Sequence, residues 1–373
     1  MPSIEDLAKG TVAATAGLST VAFGLLYYGQ NYLIYPSAFP PGSRTEVPVP
    51  SQYGLPYHDL ELNAEDGVKL KCYLLVQSKQ LDQPATVTEA VSAEDEQFAS
   101  MRPTVLMFHG NGGNVGHRIP LAKVFFAKMR CNVLMVSYRG YGLSDGSPSE
   151  KGLKLDAQSA LDYVKSHPAL SKGPTILYGQ SIGGAVSIDL ASRNPLAIDA
   201  LILENTFLSL PRLVPSALPV LGPFAFLCHQ KWDSASKISL IPSKTPILML
   251  SGAHDEVVPR EHMEGLWELV MQREAKRPAG TSTNFSTYTP RKRNASTPSS
   301  PVTPPSTRVG DVGLETAARQ GEIKLAAYDP RSLSKFVEFE NGTHNDTCVQ
   351  PGYWAAIAEF IMNLHSEVNT SAS

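Results

Sequence analysis

The run Gly179-Gln180-Ser181-Ile182-Gly183 follows the apolar stretch Thr175–Tyr178 and precedes a helical pattern over Ala185–Ala191. Strand, Gly-x-Ser-x-Gly and helix in that order describe a sharp turn with the serine at its apex, a nucleophile elbow. The apex residue must take a strained backbone conformation, and small neighbours keep the turn free of clashes. Its hydroxyl then stands above a sheet edge, beside a helix N-terminus that favours developing negative charge. Two glycines around a serine also arise by chance in chains of this size, so the rest of the sequence must supply the partners such a serine needs.

The flanking chain has the right rhythm. Strand-like runs at Thr104–Phe108, Asn132–Ser137, Thr175–Tyr178, Ala200–Glu204 and Pro246–Ser251 alternate with helical patterns near Val115–Arg130, Glu150–Ser166 and Glu261–Arg273. Strand Lys335–Phe339 and helix Tyr353–Leu364 close the series. Short, continuous apolar strands separated by helices predict a mainly parallel sheet covered on both faces. Two earlier runs, Asp59–Asn63 and Val68–Val76, flank the turn Glu65-Asp66-Gly67 and predict an antiparallel edge. The acidic stretch from Gln80 to Arg102 reads as a surface loop.

Residues 1–36 depart from this pattern. No charged residue occurs from Gly10 to Ser43, and Gly10–Ile34 is largely apolar. A helix over Leu7–Ile34 is long enough to cross the hydrocarbon of a bilayer, which takes about 20 residues. Tyr27, Tyr28, Tyr32 and Tyr35 gather at its C-terminal end like an interfacial belt. A signal anchor fits better than a cleaved signal peptide or a soluble helix covering the domain, because the apolar stretch is long and no convincing Ala-x-Ala site follows. The expected setting is a single-pass anchor in the endoplasmic reticulum or another endomembrane, or in the plasma membrane. A Pro-rich neck (37–57) leads to the domain at 58–365. Within that domain, residues 206–242 carry Leu-Pro, Val-Pro and Gly-Pro steps in an apolar context and suggest a small helical cap over the sheet edge. Residues 275–319 turn sharply to Ser, Thr, Pro, Gly and Asn and are expected to be a disordered insertion, as is the tail at 366–373.

A serine hydroxyl is a weak nucleophile, so it needs a base, an acid to orient that base, and donors for an oxyanion. On this architecture the acid follows a late strand and the base follows the last strand. Asp255 fills the first slot, with Glu256 its rival and His254 a neighbour. His344 fills the second; of the nine histidines, His229 in the cap stays open as an alternative. The donors are assigned to the N–H groups of Ile182, after the nucleophile, and Asn111 in His109-Gly-Asn-Gly-Gly-Asn, with Gly112 next. Arg139 and Tyr141 lie just past a strand end and either face substrate or serve a structural salt bridge or turn.

The Gly-rich loop lacks the Gly-Lys-Ser/Thr ending of a phosphate cradle, and no Gly-x-Gly-x-x-Gly follows, so no cofactor is expected. The four cysteines lack C-x-x-C spacing, which argues against structural zinc, and no catalytic metal is expected. A net charge of −3 gives no electrostatic case for nucleic acid.

Together these segments resemble the α/β-hydrolase superfamily over most of residues 58–365. Ser137-Tyr-Arg-Gly-Tyr-Gly-Leu-Ser-Asp-Gly, Glu204-Asn-Thr-Phe, Trp232-Asp-Ser, Gly252-Ala-His-Asp-Glu-Val-Val-Pro and Gly342-Thr-His-Asn-Asp look like its membrane-anchored bud-emergence (Bem-type) branch and the abhydrolase-domain relatives. The resemblance implies an α/β-hydrolase fold with a mainly parallel sheet of about eight strands. It also implies a serine hydrolase with Ser181, Asp255 and His344 in the triad positions and an N-terminal anchor. The Ser/Thr/Pro insertion before the last strand departs from the family pattern. Anchor and apolar cap point to the lipid bilayer as partner and to a hydrophobic acyl ester or thioester, on a lipid or protein, as substrate. A serine peptidase or amidase, or a non-catalytic membrane scaffold on the same fold, are the alternatives.

Overall fold

Every residue of five central strands is buried: β3 (Thr104–Phe108), β4 (Asn132–Val136), β5 (Thr175–Gln180), β6 (Ala200–Glu204) and β7 (Ile247–Gly252). Strands buried on both faces need covering layers on both, which is why their sequences run apolar without alternation. The computed structural model describes residues 3–80, 92–275 and 333–371. In it these strands join β1 (His58–Asn63), β2 (Lys69–Leu75) and β8 (Lys335–Phe339) in one eight-stranded sheet, ordered β1-β2-β4-β3-β5-β6-β7-β8. The two pairings of β2 are antiparallel and all the others parallel, so the expected antiparallel edge is present.

The helices divide between the faces. Leu106, Phe108, Leu177 and Leu203 share one core with α4 (Glu150–Ser166), α5 (Ile182–Arg193), α7 (Ser234–Ile238) and α8 (Arg260–Ala275). Val105, Met107, Ile176 and Tyr178 share the other with α3 (Ile119–Lys123), the π turn that continues it, and α9 (Tyr353–Ser371). α9 runs past 365 into the segment expected as tail. The expected insertion at 275–319 lies outside the described residues apart from Ala275, as does 81–91. The four cysteines are free thiols, and Cys72, Cys131 and Cys228 are buried.

The stretch expected as a loop up to Arg102 instead contains a helix, α2 (Ala93–Ser100). Ser92 caps it by accepting from the Asp95 N–H, and Glu94, Asp95 and Glu96 occupy the first turn, where the helix dipole favours acids. Phe98 lies under the guanidinium groups of Arg102 and Arg130, at 4.4 and 5.0 Å. Acidity that looks like a solvated loop is here an N-terminal charge cluster.

Before the sheet, α1 spans Ile4–Ile34, and Lys9–Ile34 is long and apolar enough to cross a membrane, with a mean hydropathy of 1.4. Between β6 and β7 the chain leaves the sheet to form α6 (Leu210–Ala217), a 3-10 helix over Pro219–Leu227, and α7.

Candidate active site

Ser181 sits between β5 and α5 at φ 54° and ψ −120°. Its N–H donates to the Glu204 carbonyl at 2.9 Å, and its own carbonyl accepts from the Gly184 N–H and from the Thr206 hydroxyl, at 2.9 and 2.7 Å. Backbone bonds therefore fix the apex and leave the side chain to the cavity. A Cβ on Gly179 would lie 2.2 Å from the Gly183 carbonyl oxygen, and one on Gly183 would lie 2.0 Å from that of Phe108. Both glycines are demanded by close approach of backbone.

His344 lies on the loop after β8, and its Nδ1 stands 2.8 Å from Asp255 Oδ2. The other Asp255 oxygen accepts the Val257 and Val258 N–H groups at 2.8 and 2.7 Å. With Nδ1 bound to the carboxylate, Nε2 is the nitrogen left for chemistry. Glu256 takes a different part: its Oε2 accepts the His344 backbone N–H at 3.2 Å and so holds the loop. His254 contacts the Glu340 carbonyl at 2.6 Å. The alternative base, His229, has Nε2 at the Tyr27 carbonyl and Nδ1 at Gln230 Nε2, away from Ser181.

Ser181, Ile182, His344 and Asn111 line one cavity of about 510 Å³. Apolar side chains make most of its remaining wall: Leu210, Leu213 and Val214 from α6, Phe207, and Leu33 and Ile34 from the end of α1. The Ile182 amide is the first of α5, where a helix provides no partner of its own. The Asn111 side chain is pinned, Oδ1 accepting the Tyr141 hydroxyl at 2.7 Å and Nδ2 donating to the Ile34 carbonyl.

Two candidate substrate contacts, Arg139 and Tyr141, do not line this cavity. Tyr141 is buried and reaches the cavity only through Asn111. Arg139 does not line the cavity; it is buried in an ion pair with Asp156 (2.8 Å) and Asp66 (2.6 Å). A buried guanidinium needs such partners, and here they lie on the domain's own elements.

A set of residues not assigned from sequence holds the His344 loop. Asn205, at φ 44°, donates through Nδ2 to the Thr343 and His344 carbonyls, both at 3.2 Å, and accepts the Gly252 N–H at 2.9 Å. Gln180 also donates to the His344 carbonyl. The fully buried Glu204 carboxyl accepts the hydroxyls of Tyr178 and Tyr353, both at 2.5 Å, and burial raises its pKa. The available signal was a charged residue ending an otherwise apolar strand, followed at once by asparagine.

His109 opens the Gly-rich loop. Its Nδ1 contacts the Gly110 carbonyl at 2.7 Å, and burial pushes its imidazole from 6.5 down to about 3. Between those values the unfolded chain binds a proton that the folded chain excludes, so stability falls as pH falls through the window. His109→Gln is expected to lose less stability than wild type between pH 7 and pH 4, measured by urea denaturation. Equal losses would show that His109 protonates within the fold.

Residues 103–222 match the alpha/beta hydrolase fold family. Protein bem46 of Schizosaccharomyces pombe is 37% identical over 372 residues, covering 100% of this chain and 98% of its own. An uncharacterized membrane protein of Saccharomyces cerevisiae is 33% identical, covering 95% and 97%. Among solved structures, the acylaminoacyl peptidase of Pyrococcus horikoshii superposes with a TM-score of 0.50 at 10% identity, over 83% of this chain and 41% of that one. At that identity the likeness is one of fold.

Proposed function

Because the chain belongs to the bem46 family of α/β-hydrolase proteins, we propose that it is a membrane-anchored serine hydrolase acting on an ester or thioester of a hydrophobic acyl group. Ser181 Oγ attacks the acyl carbonyl while His344 Nε2 takes the hydroxyl proton, and Asp255 stabilises the imidazolium that forms. The N–H groups of Asn111 and Ile182 hold the oxyanion, a contribution of about 2.7–4 kcal/mol per donor in comparable sites. His344 then returns the proton to the departing oxygen or sulfur, and water, activated by the same nitrogen, releases the acid and restores Ser181.

One observation carries this reading: His344, paired with Asp255 at 2.8 Å, and a serine at φ 54° line one largely apolar cavity. The cavity's apolar wall supports an acyl chain as ligand, and α1 supports attachment to an endomembrane or the plasma membrane.

The test is labelling by a fluorophosphonate serine probe in membranes. Wild type is expected to label and Ser181→Ala to remain unlabelled. Equal labelling of the two, or none of wild type, would sink the proposal. Parallel panels of acyl esters, thioesters and peptide amides separate the esterase from the peptidase class.

A further inference from the structure

The contact between α1 and the segment after β6 extends far along the helix. Phe23 meets Phe224 edge to face at 5.7 Å, Tyr27 meets His229 at 5.0 Å, and Gln30 Oε1 accepts the His229 N–H at 2.9 Å. These positions share one face of α1 by their three- and four-residue spacing. At 1.5 Å per residue, Phe23 lies about 16 Å from the end of the helix at Ile34.

That depth matters if α1 spans a bilayer. The 26-residue span Lys9–Ile34, of mean hydropathy 1.4, forms a helix about 39 Å long, against about 30 Å of hydrocarbon. Placing the whole excess of about 9 Å on the domain's side still leaves Phe23 about 7 Å inside the hydrocarbon. Tilt lengthens the immersed part and deepens the contact. The residue that touches Phe23 must lie there too.

The segment is built for such a place. Pro219-Val-Leu-Gly-Pro-Phe-Ala-Phe-Leu227 has no polar side chain and no buried residue, with Val220 86% and Phe226 72% exposed. Hydrocarbon penalises unpaired backbone donors. Pro219 and Pro223 have none, and the Leu221 and Cys228 N–H groups bond within the turn, at 2.8 and 3.1 Å. Polar residues begin at His229 and Gln230, both bonded to Gln30 nearer the helix end, where headgroups would lie.

We infer that Pro219–Leu227 is immersed in the leaflet that α1 enters, and that lipid substrate reaches Ser181 sideways from that leaflet. Its occupant is bilayer lipid, since the surface is continuous with the spanning helix. The cavity wall adjoins both elements: Leu33 and Ile34 of α1 line it, as do Ala217 and Leu218, which lead directly into Pro219. The delivery half rests on the proposed hydrolase reading; the immersion half does not.

The experiment uses the full chain in phosphatidylcholine vesicles, with a nitroxide on Phe226→Cys and, as control, on Leu196→Cys beyond the far end of α5, both in a Cys348→Ser background. The expected result is high collision with oxygen and exclusion of a nickel chelate at 226, with the reverse at 196. Nickel access at 226 equal to that at 196 overturns immersion and points to water or a protein partner on that surface. For delivery, Val220→Asp with Phe226→Asp is expected to slow hydrolysis of a vesicle-dispersed acyl ester about tenfold, while a water-soluble acetate ester is turned over as before. An equal fall on both esters overturns delivery. A wild type that cleaves neither ester sinks the hydrolase reading instead, and the nitroxide result still decides immersion.

Discussion

Asp255→Asn is expected to lower kcat about ten-thousand-fold on a short, water-soluble ester, with the melting temperature little changed. The effect depends on which atom of the side chain faces His344. Asp255 Oδ1 accepts two backbone N–H groups, from Val257 and Val258. An asparagine keeps those bonds only by placing its carbonyl oxygen there, which turns its NH2 toward His344 Nδ1. That nitrogen must then accept, so the proton moves to Nε2, and the imidazole no longer takes the serine proton. The fold is preserved while the base is switched to the wrong tautomer. Glu256→Gln retains an acceptor for the His344 amide and is expected to cost far less. Steady-state kinetics on purified variants separate the two, and a loss at Asp255→Asn below about tenfold would remove it from the proposed triad.

The second large effect is on stability. Gly183→Ala is expected to destabilise the domain by about 3 kcal/mol or more, because its Cβ meets backbone that has no rotamer to retreat into. The added carbon would stand 2.0 Å from the Phe108 carbonyl oxygen, so α5 would have to lift from the end of β3 and carry the Ser181 turn with it. At Gly112, in the same cavity, the nearest atom to an added Cβ is 3.9 Å away. There the change to alanine is expected to alter stability by less than about 1 kcal/mol. Urea denaturation of the two variants beside wild type tests the contrast, and similar midpoints would contradict it.

Much of the site is legible because chemistry constrains residue type and chain order together. A serine at a strand-to-helix turn calls for an acid after a late strand and a histidine after the last, and Asp255 and His344 occupy those slots. Arg139 shows where such reading stops. Its place at a strand end fits a substrate contact, but its partner Asp66 is 73 residues away in sequence and Asp156 is 17. Nothing local to Arg139 announces either. Asn205 has the same character, since its bonds reach a loop 138 to 142 residues later. The α2 helix was hidden for another reason: at eight residues it is too short to display a period, and its acidic first turn is the composition of a solvated loop.

The end of α1 also bears on how this protein can be handled. The Ile34 carbonyl holds the Asn111 side chain, Leu33 and Ile34 face the cavity, and Tyr35 bonds to Trp232 and Gln230. Cutting the chain after this point to obtain a soluble preparation would take away part of the cavity wall around Ser181. What remained would have a cavity open on one side and a Gly-rich loop without its Ile34 partner, and any ligand preference measured on it would describe the cut protein. Exchanging the first 34 residues with those of a relative should, by the same logic, change the cavity wall along with the N-terminal helix.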